Sequence, residues 1–203
     1  MEIYKLISGA IIVFILTIGI SLYGLYVNSS LIRRLSLHPF SFVKGKGIFS
    51  LISSGFVHAN LQHLGLNMIT FYFFAFRLEK ITGTVNWLII YFIGLILSDI
   101  STLIKNKNKP NYYSLGASGA ISALLFSYIL FDPFSKIIIF PIPFGIPSYI
   151  FGIGYLVYSA YAAKTDRGNI NHEAHFYGAI SGIFTTIVLF PNVFRYFVER
   201  FIR

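Results

Sequence analysis

A serine with small neighbours lies in an apolar part of the chain, within the sequence Gly116-Ala-Ser118-Gly119. A hydroxyl in such a segment is costly in a membrane unless it is paired or faces a wet cavity, so it is a candidate for function. The flanking glycines leave the backbone bare, which lets a partner helix approach and lets backbone N–H groups face a developing oxyanion. Ser118 therefore fits the role of a nucleophile. The alternative is that these small residues only pack one membrane helix against another.

A histidine on a glycine-lined helical face follows later in the sequence. His175, Gly178 and Gly182 are spaced i, i+3 and i+7, so they share one face of a helix. The GxxxG pattern of the two glycines predicts close packing on a neighbouring helix, with the imidazole held against that neighbour. A histidine base beside a serine is the minimum machinery for acyl transfer. The alternative is a histidine near the membrane interface that makes an ordinary hydrogen bond.

A third polar set opens the second apolar block. His63 and Asn67 are four residues apart and so share a helical face, and both can donate hydrogen bonds in a dry site, which suits an oxyanion hole. His58 lies about one turn earlier, where we expect the chain to enter the membrane. For His58, capping of polar groups at the interface is the alternative to a direct chemical role.

A zinc site is the other chemistry that these residue types allow, because histidine and carboxylate side chains bind zinc. The segment His172-Glu-Ala-His175 has one residue too few after the glutamate for the H-E-x-x-H pattern of metalloproteases. No aspartate in the second or fourth apolar block completes a site with His58 or His63. We therefore predict no metal, and nothing in the sequence implies an organic cofactor.

The elements that must position these residues are membrane helices. Hydrophobic residues make up 56% of the 203 residues and charged residues only 11%, whereas a soluble domain carries about a quarter charged residues. Six apolar blocks meet or approach the roughly 20 residues that span a bilayer as a helix. We predict one all-α, polytopic membrane domain over residues 1–203, a bundle of six transmembrane helices. The spans lie at about 4–27, 61–79, 85–104, 115–131, 137–163 and 174–190.

The first and the fifth apolar blocks each have a feature that affects the prediction. The first follows Lys5 and is too long for the apolar region of a signal peptide, so we expect a retained transmembrane helix. The fifth contains Pro141, Pro143 and Pro147, which predict a shortened or kinked helix. Together with Gly145, these prolines suggest that the fifth helix is a mobile gate.

The basic residues favour a lipid surface over nucleic acid. The net charge is +9, but the basic residues lie in short runs between apolar blocks, such as Arg33-Arg34, as expected for contact with lipid headgroups. With six spans and a cytoplasmic N-terminus, seven of the 16 Lys and Arg residues lie inside and nine outside, so the positive-inside bias mildly opposes this topology. Cysteine is absent, which excludes disulfides and thiolate catalysis.

Together the motifs resemble the rhomboid family of intramembrane serine proteases. The matching pieces are His58-x4-His63-x3-Asn67 in the second span, Gly116-Ala-Ser118-Gly119 opening the fourth, and His175-x2-Gly178-x3-Gly182 in the sixth. Their order and six-span setting match the family as well. The resemblance covers residues 55–182, whereas the first span matches only as an apolar helix.

The resemblance implies a serine endopeptidase with a Ser–His dyad. Ser118 would attack the scissile carbonyl and His175 would move the proton, with no carboxylate to orient the histidine. The Ser118 N–H, His63 and Asn67 would stabilise the oxyanion. Glu79 resembles a family position used for structural hydrogen bonding. The implied partners are membrane lipids and protein substrates whose transmembrane helices are cut near the membrane surface, and the expected location is the bacterial inner membrane.

Two departures from the family pattern concern fine geometry. Some bacterial members carry a tyrosine one turn after the nucleophile, beneath the histidine, where this chain has Ser122, so another residue must hold His175. Some also carry a Trp-Arg pair in the first loop, whereas the single tryptophan here is Trp87, in the third span. Two other functions remain open. One is a catalytically inactive rhomboid-like protein that binds membrane clients, and the other is a transporter that uses intramembrane groups such as Asp99.

Overall fold

The computed structural model describes residues 8–138, 143–165 and 171–202. Its main elements are six long helices, one for each predicted block, and Lys5 and Pro141 lie outside the described residues. The long helices are α1 (Gly9–Tyr26), α5 (Leu61–Thr82), α6 (Thr84–Asn106), α7 (Ser118–Phe131), α8 (Ser148–Thr165) and α9 (His172–Leu189).

Short elements fill the connections. Between α1 and α5 the chain forms α2 (Ser29–Leu35), α3 (Pro39–Phe42), α4 (Ser50–Ser53) and a 3₁₀ turn (Ser54–Phe56). Before α8, the strands β1 (Lys136–Ile137) and β2 (Ile146–Pro147) pair antiparallel. After α9, helix α10 (Val193–Ile202) turns away by 102°. The fold is therefore mainly helical, with one small two-stranded sheet.

The fifth helix differs most from the prediction. It begins at Ser148 rather than near residue 137, because the preceding segment forms the strand pair. Proline cannot supply the N–H that a helix interior needs, and Pro143 and Pro147 lie just before the first turn. The backbone N–H of Ser148 instead donates to Ser135 O (2.8 Å), and that of Tyr149 donates to Pro133 O (3.1 Å).

Close packing of α6, α7 and α9 forms the centre of the bundle. A Cβ on Gly94 of α6 would collide with the side chain of Ala123 on α7 and lie 3.7 Å from Ser181 Oγ on α9. Nearer the start of α6, the fully buried rings of Trp87 and Tyr91 stack at 5.4 Å. Small residues thus bring three helices together while aromatic rings fill the wider space towards α5 and α1.

The outside of the bundle is apolar. Large side chains are exposed along the helices, including Ile15, Phe73, Ile153 and Phe184, as expected of a surface in contact with lipid. By length and apolarity alone, two of the described helices, α1 and α6, can cross a membrane, or three if the bent α9–α10 pair forms one span. This is fewer than the six predicted. Helix α7 has only 14 residues, and polar side chains lower the apolarity of α5 and α9.

Candidate active site

Ser118 is the first residue of α7, and the chain reaches it through an extended segment. Gly116 has φ +112°, a conformation that a residue with a Cβ rarely adopts. No side chain caps the start of α7, where Ala117 is the N-cap residue. The first N–H groups of a helix have no partner within it, so this end carries bare donors and partial positive charge. The half-buried Ser118 therefore lies beside donors that can receive a negatively charged oxygen.

Glycines seat α9 directly on the backbone of α7. A Cβ on Gly178 would lie 3.0 Å from the Cα of Gly119 and closer still to its carbonyl oxygen, and one on Gly182 would lie 2.5 Å from the Cα of Ala123. His175, one turn before Gly178, is thereby brought to the first turn of α7. Among the described residues no hydrogen bond joins the His175 ring to Ser118, whose carbonyl oxygen accepts from Ser122 Oγ (2.9 Å).

A tyrosine of α8, which sequence reasoning missed, contacts the histidine. The rings of Tyr155 and His175 lie nearly parallel, 22° apart, with their centroids 6.3 Å apart. The Tyr155 hydroxyl lies 2.6 Å from Ser122 Oγ. Ser122, which stands where some family members have tyrosine, thus fixes a tyrosine that comes from another helix.

The sequence did carry a signal for this tyrosine. The buried residues of α8 are all small and follow a spacing of 4, 7 and 3 residues: Ser148, Gly152, Ser159 and Ala162. Tyr155 lies between them, three residues after Gly152 and four before Ser159, and so belongs to the same face. A tyrosine on the face lined by these small residues is a candidate for a specific contact.

The histidine and asparagine of α5 lie on the other side of the serine segment. A Cβ on Gly116 would be 2.8 Å from His63 Nε2, so the imidazole of His63 packs against bare backbone two residues before Ser118. The Asn60 side chain caps α5 by accepting from His63 N (2.8 Å). Asn67 is buried, and its Nδ2 donates to His63 O (3.0 Å), which leaves a second N–H on that nitrogen.

His58 lies in the connection just before α5 and is fully buried. Its Nε2 accepts from Ala117 N (3.4 Å), which places the proton on Nδ1, and this nitrogen donates to Ser21 Oγ (2.9 Å) of α1. Ser21 Oγ in turn donates to Phe56 O (3.0 Å). Burial, with a smaller effect of nearby His63, lowers the pKa of His58 to about 3, so the ring is neutral at physiological pH.

Glu79 lies at the opposite end of the bundle from Ser118. Its carboxylate accepts from the backbone N–H of Gly9 (2.6 Å), from the hydroxyl of Thr84 (2.9 Å) and from the hydroxyl of Ser8. One side chain thus joins the C-terminal part of α5 to the first turns of α1 and α6. A carboxylate at a helix N-terminus is favourable because it meets unpaired N–H groups and the positive end of the dipole.

Two other acidic side chains, Asp99 and Glu173, have ordinary partners. Asp99 accepts from Ser54 Oγ (2.8 Å). Glu173 pairs with Lys105 at 3.2 Å rather than facing a histidine cluster. Across residues 8–138, 143–165 and 171–202, no group of three or more His, Asp or Glu side chains is arranged to hold a metal ion.

Comparison with known proteins matches residues 45–192 to the Rhomboid domain. The chain is 28% identical over 179 residues to "Rhomboid protein 1, mitochondrial" of Saccharomyces cerevisiae, covering 83% of this chain and 50% of the yeast protein. It is 29% identical over 143 residues to "Putative rhomboid protease YdcA" of Bacillus subtilis, covering 65% and 62%. It is also 28% identical over 158 residues to "Rhomboid-like protein 11, chloroplastic" of Arabidopsis thaliana, covering 71% and 54%.

Proposed function

The chain belongs to the rhomboid family, and on that premise we propose that it is an intramembrane serine endopeptidase with Ser118 as nucleophile and His175 as base. One observation carries the proposal. The glycine contacts between α9 and α7 bring a histidine to the uncapped N-terminus of a helix whose first residue is a serine. A nucleophile, a base and oxyanion donors are the groups that acyl transfer requires.

The reaction follows from these positions. Ser118 Oγ attacks the scissile carbonyl carbon while its proton passes to His175. The resulting oxyanion accepts hydrogen bonds from Ser118 N–H and from the side chains of His63 and Asn67. His175 then gives the proton to the leaving amine as the C–N bond breaks, and water releases the acyl group from Ser118. Tyr155 keeps the imidazole oriented, in place of the carboxylate of a triad.

We propose that all six long helices cross the membrane in one domain, with Ser118 below the surface. With about 1.5 Å of rise per residue, α7 is about 21 Å long, less than the roughly 30 Å of hydrocarbon core. Its N-terminus would then lie within the membrane, at the depth where a substrate helix has to unwind. The substrates are transmembrane segments of membrane proteins.

Helix α8 is the gate in this proposal. Its buried residues are small, and its larger side chains that pack on α7, such as Phe151 and Tyr155, are only partly buried. Gly145 packs on Lys136 in the strand pair, so movement is expected at the start of α8 itself. The sequence contains no cysteine. A variant with one cysteine introduced into α5 and one into α8 can therefore form a single disulfide that joins the two helices. Oxidative crosslinking should slow the cleavage of helical substrates, and reduction should restore it. Equal rates in both states would exclude the gate.

An inactive rhomboid-like protein that binds membrane clients is the second candidate. The observation that favours it is the missing hydrogen bond between Ser118 and His175. Catalytic hydrogen bonds are often long in unliganded enzymes and tighten when substrate binds, so this geometry does not exclude catalysis. The transporter hypothesis loses support because Asp99 is paired with Ser54.

The protein is an integral membrane protein of a family whose relatives include mitochondrial and chloroplast members by name. These relatives do not distinguish among host membranes. The bacterial inner membrane stays our prediction for its location.

Labelling with a fluorophosphonate tests the proposed reaction without a known substrate. Ser118→Ala should abolish labelling, and His175→Ala should lower its rate at least about 100-fold, as expected for loss of a general base. Tyr177→Ala is the control, since it removes an exposed ring from the same helix, and it should lower the rate less than about fivefold. Absence of labelling from folded protein, in detergent and in liposomes, would favour the inactive client-binding relative.

A further inference from the structure

A cavity of about 380 Å³ lies in the connection between α1 and α5, at the same end of the bundle as Ser118. Three basic residues line it, Arg33, Arg34 and Lys46, with the rings of His38 and Tyr113 and several serines. No Asp or Glu is among the lining residues. The cavity therefore presents positive charge and hydrogen-bond donors without a counter-charge of its own.

The cavity wall is ordered by side-chain contacts. The rings of His38 and Tyr113 stack at 4.3 Å, and His38 Nε2 lies 2.9 Å from Pro110 O. Arg33 Nε donates to the Tyr113 hydroxyl (3.0 Å), and its guanidinium lies over the ring, 5.1 Å from the centroid. These contacts use one of the five N–H groups of Arg33 and leave the terminal nitrogens available.

The three cations have no acidic partner in the part of the chain that the structure describes. Each carboxylate of those residues is engaged elsewhere, with the start of α1, with Ser54, with Arg200, with Lys105 or with Arg195. Arginine is suited to phosphate because its planar donors can bind two oxygens at once. An anion that enters the cavity would therefore meet charges that no carboxylate of the described residues neutralises.

An apolar surface borders this cavity. Val43, Ile48 and Ile52 are 55%, 62% and 45% exposed, and Phe49 is 87% exposed. Exposed apolar side chains next to basic ones are typical of segments that insert into the boundary between headgroups and acyl chains. A free phosphate or a nucleic acid would use the cations but not Phe49, whereas a phospholipid uses both.

We propose that this cavity binds the phosphate headgroup of an anionic phospholipid, with the acyl chains along the surface of Val43, Ile48, Phe49 and Ile52. The inference does not depend on the proposed protease activity. It also gives a reason for basic residues at the Ser118 end of the bundle, which the positive-inside bias does not explain.

Lipid binding to this cavity would reach the active-site segment through backbone hydrogen bonds. Leu37 and Ser114 exchange two N–H···O bonds of 2.9 Å, and Gly116 N donates to Ser54 O (2.9 Å). The connection that holds the cavity is thus joined to the three residues that precede Ala117. A bound lipid would hold this connection at a fixed depth in the bilayer and, with it, the segment that leads to Ser118.

Native mass spectrometry of the full chain in detergent tests the proposal, with dioleoyl phosphatidylglycerol and dioleoyl phosphatidylcholine as probes. We expect phosphatidylglycerol to bind at least about tenfold more tightly than phosphatidylcholine. Arg34→Gln combined with Lys46→Gln should remove this preference. The matched control is Arg77→Gln combined with Lys80→Gln, which removes the same charge from exposed positions at the opposite end of the bundle. This control should retain the preference for phosphatidylglycerol.

Two further arms distinguish lipid from its headgroup. Phe49→Ser should weaken phosphatidylglycerol binding several-fold and leave competition by glycerol phosphate unchanged. The proposal is overturned if both lipids bind equally, or if the control pair loses the preference as well, since either result means non-specific attraction. It is also overturned if inorganic phosphate competes as strongly as the lipid does, because the site would then bind free anions. Thermal unfolding checks that each variant is folded.

Discussion

Gly178→Ala should uncouple the base from the nucleophile while leaving both residues in place. The new Cβ would lie 2.9 Å from the carbonyl carbon of Gly119, whereas ordinary contact begins at 3.4 Å. The neighbouring atoms are backbone, so the helices rather than a side chain must move, by at least about 0.5 Å and by more to clear the carbonyl oxygen. His175 moves away from Ser118 with its helix.

The size of the effect follows from that displacement. A 1 Å misplacement of a catalytic group can cost about 100-fold in rate, so we expect labelling by a fluorophosphonate to slow about 10- to 100-fold. Gly19→Ala is the control, because no heavy atom lies within 4 Å of the position that its Cβ would take. It should label at the unmodified rate or nearly so. Thermal unfolding in the same detergent shows whether each variant is folded.

Gly182, on the same face of α9, provides a second test of the same reasoning. Gly182→Ala would bring its Cβ to 2.5 Å from the Cα of Ala123, one turn further from His175. It should also slow labelling, but stability should suffer more because the contact lies deeper in the bundle. If folded Gly178→Ala protein labelled within twofold of Gly19→Ala, seating by glycine contacts would not control the dyad, and the reasoning would be wrong.

Three other predictions concern supporting residues. Tyr155→Phe keeps the ring beside His175 and should slow labelling only a few-fold, as should Ser122→Ala. Tyr155→Ala removes the ring and should slow labelling more than about tenfold. Equal effects of both Tyr155 variants would contradict a stacking role. Glu79→Ala should lower stability by about 3 kcal/mol, since buried donors lose their acceptor, with a smaller loss for Glu79→Gln in thermal unfolding. The fold lowers the pKa of His58 to about 3, whereas its ordinary value is 6.5, so protonation below pH 6.5 favours the unfolded chain. The free energy of unfolding lost between pH 7 and pH 5 should therefore be about 2 kcal/mol smaller in His58→Gln than in the unmodified protein. An equal loss in both proteins would count against a neutral His58.

Patterns within one element could be predicted from the sequence. Helix α6 is observed at Thr84–Asn106 where 85–104 is predicted, because a long apolar run ended by Asn and Lys leaves the chain few alternatives in a bilayer. The packing surface of α9 was predicted from Gly178 and Gly182, since a small residue every fourth position marks one helical face. The roles assigned to Ser118, His175, His63 and Asn67 stay predictions.

Contacts between distant segments could not be predicted. Nothing in the neighbourhood of Ser122 shows that its partner is Tyr155, because that contact depends on how α8 lies against α7. The start of α8 was misplaced because apolar residues before Ser148 suit a strand as well as a helix, and the pairing of Lys136–Ile137 with Ile146–Pro147 is not visible in either segment alone. Helix α10 lies beyond the last predicted span, which ends at about residue 190.

The cap that Glu79 provides has a consequence for the order of assembly during synthesis. The first N–H groups of α1 donate hydrogen bonds to the Glu79 carboxylate, which lies 70 residues later in the chain than Gly9. Before α5 has been translated, the first turn of α1 has the Ser8 side chain but not the Glu79 carboxylate, so these N–H groups must be satisfied by water or lipid headgroups. The end of α1 can therefore become fixed only after α5 has been translated and inserted beside it.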